Sequence, residues 1–156
     1  MEIPPGIEGT RATLAIMSKI TRDAKKHLPI RLLAQSLVSG NAQKDYCGEI
    51  KDLHRFVRDN IRYVRDIRGV ETLQTPEKTL EFGGGDCDDK STLLAALLES
   101  IGHPTRFVAV GFKSGNYVHV YVESKMGVKW YPLETTEPWE AGRGPGGAMM
   151  RMVQHN

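Results

Sequence analysis

An α+β domain is predicted from three features of the sequence. Apolar residues recur at helical spacing ahead of Gly102, the period changes to two beyond it, and the short turns "KSGN" and "SKMG" separate the alternating runs as in hairpins. Helices that precede antiparallel strands pack as a layer against the sheet, with the most apolar helix at the centre of the contact.

The elements follow in order. Between residues 10 and 39, Leu14, Ile16, Met17 and Ile20, then Leu28, Ile30, Leu32, Leu33, Leu37 and Val38, predict two helices broken at Pro29 and stopped by "SGN". A third helix runs from near Asp45 through Ile50, Leu53, Phe56 and Val57 toward Asn60, and "IRYVRD" after it reads as a short extended segment. In "TPEKTL", Thr75 is placed to cap a helix with Pro76 at its first position. Three glycines, 83 to 85, end that element, and "STLLAALLESI" is an apolar helix closed by Gly102. "TRFVAVGF", "YVHVYVES" and "VKWYPLE" are strands; the stretch from Pro138, rich in glycine and methionine, has no period and is expected to be irregular. The chain therefore reads as a single domain over 1–156, with an N-terminal helical part at 1–44, a core at 45–137 and an irregular tail at 138–156.

Composition removes several function classes. With 40% hydrophobic and 26% charged residues, the chain has enough apolar matter to fold and is not of the disordered type. The net charge of +2, from 21 basic and 19 acidic residues, contains no block of one sign, so neither nucleic acid nor a membrane is the expected partner; the excess of Lys and Arg between Arg11 and Arg68 reads as solvated helix faces. The first residues lack the pattern of a signal segment, and no apolar run reaches membrane-spanning length, which leads to the expectation of a cytoplasmic protein. Two cysteines, Cys47 and Cys87, are too few for a disulfide scaffold and wrongly spaced for structural zinc. Cys47 reads as a small buried hydrophobe.

Chemistry concentrates in "GGGDCDDKS". The glycines allow a sharp turn and close backbone approach, and Cys87 falls at or near the first turn of the following helix. Unpaired N–H groups and the helix dipole there favour an anion, so a thiolate is expected, with the same N–H groups available to an oxyanion. Asp86, Asp88 and Asp89 oppose that ionisation, and at least one of them is expected to cap the helix instead. No cofactor is expected: Asp86 and Asp88 have the chemistry for a hard cation such as Ca²⁺ but do not complete a coordination sphere. A phosphate loop is excluded, because Asp89 stands where that motif needs glycine before Lys-Ser.

A nucleophilic thiol needs a base. Of five histidines, His27 reads as solvated, His54 lies in a polar helical context, His103 in a turn and His155 in the tail, whereas His119 is held in the alternating run "NYVHVYVES". An acceptor that orients its ring is available on the next strand: if the last two strands form a hairpin, Glu134 lies at His119's end. Glu123 competes, but four residues along the same strand is too far for direct contact.

The order Cys, His, acid, with the cysteine opening a helix and the others on successive strands, resembles the transglutaminase-like superfamily of papain-type enzymes. "NIRYV", "TPEKTLEFGGGDCDDKSTLLAALLESIGHPTRFVAVG", "HVYVE" and "KWYPLETT", together covering roughly residues 50 to 136, carry the likeness, and "GDCDD" is similar to its bacterial cysteine-peptidase branch, whose small stand-alone members are common in prophage regions. The resemblance implies a papain-like core at 45–137, with Cys87 as nucleophile, His119 as general base and acid, and Glu134 where the family usually has Asp. It also implies an aromatic or amide side chain assisting the oxyanion, for which Gln74 is the candidate.

The expected function is a cysteine protease or amidase that attacks a protein or peptide substrate and passes through a thioester. The alternatives are a transglutaminase that resolves the thioester with lysine, and a non-catalytic module in which the cleft or the Met-rich tail serves a protein partner.

Overall fold

The computed structural model describes residues 6–65 and 73–156. The first five residues, and the stretch holding Asp66 and Arg68 at the ends of the predicted extended segment and basic region, lie outside the described residues.

Each helix begins where the sequence offers a cap or a proline. α1 (Ile7–Ala24) and α2 (Leu28–Leu37) are separated at residues 25–27, two residues ahead of the expected break, because Pro29 sits in the first turn of α2, where its missing N–H costs nothing. α3 (Tyr46–Asn60) starts at Asp45, whose carboxylate accepts from Gly48 N–H. α4 (Pro76–Phe82) is capped by Thr75 and ends at Gly83, which takes φ 75° in the left-handed region that a glycine enters without strain. α5 (Cys87–Ser100) has every residue from Cys87 to Leu98 buried. A helix buried on every side belongs at the centre of a fold, and the other four helices and the sheet surround it.

Two short strands, β1 (Arg62–Tyr63) and β2 (Gly84–Gly85), pair in parallel, so the glycines run along β1 directly into Cys87. The main sheet holds β3 (Thr105–Gly111), β4 (His119–Met126), β5 (Lys129–Leu133) and β6 (Met150–His155), in the order β5-β4-β3-β6 and antiparallel throughout. Phe107, Ala109, Val120, Val122 and Leu133 face the α5 leucines in one core that also takes in Leu14, Met17, Ile30 and Ala34, so the N-terminal helical part shares the core of the rest. Val108, Val110 and Tyr121 form a smaller cluster on the opposite face.

Two expectations are corrected here. The tail at 138–156 is not irregular throughout: its end forms β6, which pairs with β3 from Gly111↔Met150 to Arg106↔His155. Met150 and Met152 pack against the main core while Val153 joins the opposite cluster, so the alternation exists, but in methionines that carry little strand preference of their own. Cys47 is exposed rather than buried, because α3 buries the stripe Ile50, Leu53, His54 and Val57 and leaves its first turn outside. Among the described residues no helix is long and apolar enough to cross a membrane.

Candidate active site

The turn into α5 is built from carboxylates and glycines. Asp86 is the N-cap: its side chain accepts from Asp89 N–H at 3.1 Å, while Asp89 accepts from Asp86 N–H at 3.2 Å, a reciprocal capping box. Asp89 also accepts from the backbone N–H of Gln74 and from its side-chain amide, both at 2.9 Å. A Cβ on Gly85 would stand 2.5 Å from Asp89 Cβ, so the close approach this glycine permits is to the protein's own helix. Gln74 donates its remaining amide hydrogen to Gly84 O at 3.2 Å. In this arrangement both amide hydrogens of Gln74, the expected oxyanion donor, brace the loop.

Cys87 occupies the first position of α5 and is 7% exposed. Its thiol donates to Asp88 Oδ1 at 3.6 Å, and the sulfur also receives a backbone hydrogen bond from Val120, the residue after His119. This environment opposes the predicted resting thiolate. Burial first, and the Asp88 carboxylate second, push the Cys87 thiol well above its ordinary range, and Val120 offsets only part of this. Asp88 is fully buried, and burial raises its own carboxyl to about 7. Its Oδ2 has no partner among the described residues.

The partnership of His119 with Glu134 agrees with the expected hairpin. β4 and β5 pair with Val122 opposite Leu133, which brings Glu134 beyond the end of β5 toward the start of β4. His119 Nε2 lies 2.6 Å from Glu134 Oε2, and the imidazole stacks on Tyr121 two residues along the same face. Thr136 donates to Glu134 Oε1 through both its N–H, at 3.0 Å, and its hydroxyl, at 2.9 Å. Burial pushes Glu134 up, but the bond to His119 and those from Thr136 outweigh it and hold the carboxyl below its ordinary value. A carboxylate thus satisfied on both oxygens stays ionised and fixes the ring.

One supporting residue escaped the sequence reading. His54 is fully buried and donates from Nε2 to the backbone carbonyl of Glu134 at 2.6 Å, with Nδ1 left without a partner among the described residues. Burial lowers its pKa, so it is neutral with the proton on Nε2. The signal was available: Ile50, Leu53, His54 and Val57 fall at the spacing of one buried helix face. Of the remaining histidines, His103 pairs with Glu49 at 2.8 Å and is buried, His27 pairs with Glu77 on the surface, and His155 lies in β6. Glu123 is taken by Arg106 at 2.7 Å and Arg151 at 3.1 Å, which removes it as His119's acceptor.

Of the predicted residues, His119 and Glu134 are joined directly. Cys87 reaches the same neighbourhood through Val120, with its thiol turned to Asp88 rather than bonded to the imidazole. The three carboxylates at the head of α5 do not converge: Asp86 caps, Asp88 faces the thiol and Asp89 holds Gln74. Among the described residues no group of three or more acid, histidine or cysteine side chains is placed to hold a metal ion.

The model of the transglutaminase-like superfamily matches residues 31–135. No curated protein sequence matches. Among solved structures, a candidate protease from Parabacteroides distasonis aligns over 81% of this chain and 26% of its own, with a TM-score of 0.66 and 16% identity. A candidate cysteine protease from Cytophaga hutchinsonii aligns over 82% and 46%, at 0.57 and 19%. Calcium-bound LapG from Legionella pneumophila aligns over 80% and 75%, at 0.56 and 17%. At such identities the likeness is one of fold, and the chain spans about a quarter of the first of these structures and under half of the second.

Proposed function

The chain belongs to the transglutaminase-like superfamily, and on that premise we propose that it is a cysteine-dependent acyl-transfer enzyme hydrolysing a peptide or carboxamide bond through Cys87, His119 and Glu134. The observation that carries this reading is the 2.6 Å bond between His119 Nε2 and a buried, doubly supported Glu134, one residue from the backbone group that touches the Cys87 sulfur.

With Nε2 committed to Glu134, Nδ1 is the ring nitrogen left for chemistry. Cys87 turns from Asp88 toward the ring and gives up its proton, and the sulfur attacks the carbonyl carbon. The N–H of Cys87, at the helix start, receives the oxyanion. Collapse breaks the C–N bond, His119 protonates the departing amine, and a thioester remains. Water, deprotonated by the same imidazole, attacks the thioester, releasing the acid and restoring the thiol. Glu134 keeps the ring in place and stabilises its charged form.

Calcium is the one ion raised by a neighbouring structure. As arranged in this chain, Asp86, Asp88 and Asp89 are each turned to a different partner and do not fit one, so no step is assigned to it. The burial of Cys87 and its bond to Asp88 favour a second reading, a non-catalytic module on the same fold that binds a protein partner.

A peptide library prepared from digested cellular protein separates the two. New peptide termini produced by the wild-type chain and abolished by Cys87→Ala support the hydrolase; identical peptide profiles for the two proteins contradict it.

A further inference from the structure

A cavity of about 400 Å³ opens between β1 and the residues that follow Glu134. Arg62 and Tyr63 of β1 form one side, Thr135, Thr136 and Glu137 the other, and Lys90 of α5 lines it from the helix side. β1 is the partner of β2, which runs into Cys87, and Thr135 directly follows Glu134. The cavity is thus bounded by the two segments that deliver the nucleophile and the acid, one helical turn along α5 from the thiol.

Lys90 brings a cation that no carboxylate contacts directly among the described residues. It is 2% exposed, and its Nζ, with three hydrogens to donate, makes one long bond, 3.4 Å to Arg58 O, among the described residues. Burial lowers its pKa to about 8, against the pull of Glu134 and Asp59, so the amine is still largely charged at neutral pH. The other charges around the cavity cancel in pairs. Arg58 and Asp59 bind each other at 2.7 and 2.9 Å, and exposed Arg62 is offset by exposed Glu137. Lys90 is left over, and a buried ammonium short of partners is costly until a counter-charge reaches it.

We propose that this cavity receives a carboxylate of the substrate beside the bond that Cys87 attacks, with Lys90 as its counter-ion, so that the enzyme selects acidic peptides. The proposal rests on the hydrolase reading for the word substrate, but the binding step does not depend on turnover.

Three small probes separate the sources of the carboxylate: N-acetylglutamate α-amide carries it on the side chain, N-acetylglutamine at the chain end, and N-acetylglutamine α-amide not at all. Each is titrated into ¹⁵N-labelled protein while the Lys90 side-chain resonance is followed by NMR. A carboxylate probe is expected to shift that resonance at millimolar concentration and to raise its titration midpoint, and the neutral probe is expected to leave it unmoved. The backbone amides of Thr135, Thr136 and Glu137, which line the cavity, are followed in the same titrations and are expected to stop responding to the carboxylate probes in Lys90→Met; if that variant fails to fold, the wild-type titration decides. In turnover, peptides matched except for Glu against Gln near the cleaved bond are expected to differ about tenfold in kcat/KM, the acidic one preferred, and Arg62→Gln to narrow the gap. Equal shifts from all three probes, or none, overturn the proposal. Carboxylate binding without turnover upholds the pocket and counts against the hydrolase; turnover with neither preference nor Lys90 shift does the reverse.

Discussion

Glu134 is gripped at three points by residues from different parts of the chain, and the bond that defines its role is the one to His119: Nε2 and Oε2 are 2.6 Å apart across adjacent strands. Because Thr136 occupies the other carboxylate oxygen and His54 the backbone carbonyl, the acid cannot drift from the ring. Glu134→Gln removes the charge that stabilises the imidazolium, and kcat is expected to fall by about 10³-fold or more with little change in KM. Glu134→Asp is expected to impair turnover too, since the shorter side chain no longer spans the distance set by this backbone. Full activity in Glu134→Asp contradicts the geometric argument.

Asp88 makes stability depend on pH in an unusual direction. Burial, its main cause, raises the carboxyl from 3.8 to about 7. A raised folded-state value means that the folded chain keeps a proton the unfolded chain has released. The contribution of the neutral carboxyl is therefore complete below the ordinary value and is lost as pH rises through the folded one. Asp88→Asn, which keeps an acceptor for the Cys87 thiol, is expected to be near neutral around pH 4, to raise Tm increasingly up to about pH 7 and to level off above it. Thermal unfolding of both proteins across that range is the check, and a constant or reversed difference counts against it.

His54 acts on the site through Glu134's backbone. His54→Leu leaves a buried carbonyl without its donor, at a cost of about 1–3 kcal/mol, whereas His54→Gln keeps an N–H within reach of it. Denaturant unfolding of the two variants is expected to rank Leu well below Gln. Equal losses sink the hydrogen-bond explanation.

The sheet closes with β6, and its removal exposes the edge of β3. A chain ending at residue 149 loses the β3 pairing and the packing of Met150 and Met152, and is expected to unfold at lower temperature and to aggregate. Unchanged melting and a monodisperse solution contradict this.

The helices were legible because each carries a local signal: the Asp45 and Thr75 caps, Pro29 and Pro76 in first turns, and the uninterrupted apolar run of α5. β3, β4 and β5 were legible from alternation, and the position of Glu134 followed from the turn between the last two. β6 was missed because an edge strand of methionines takes its conformation from β3 rather than from its own preferences. The orientation of the Cys87 thiol was not legible either. Periodicity locates a residue on a helix, but whether its sulfur meets Asp88 or the imidazole is decided by rotamers and by the packing of β4, which no local pattern encodes. The partner of the Gln74 amide is not legible for the same reason: it answers Asp89, a contact across fifteen residues of chain.

The central claim is that the imidazole of residue 119 activates the sulfur of residue 87, and alkylation measures it without knowledge of the substrate. In a Cys47→Ser background, which removes the exposed thiol, iodoacetamide labelling of Cys87 is followed by mass spectrometry against pH. Burial alone makes this thiol unreactive at neutral pH, so reactivity there requires the base. The expected result is labelling at pH 7 that falls about 100-fold in His119→Ala. A rate that is the same with and without the imidazole, rising only in strong alkali, contradicts the claim.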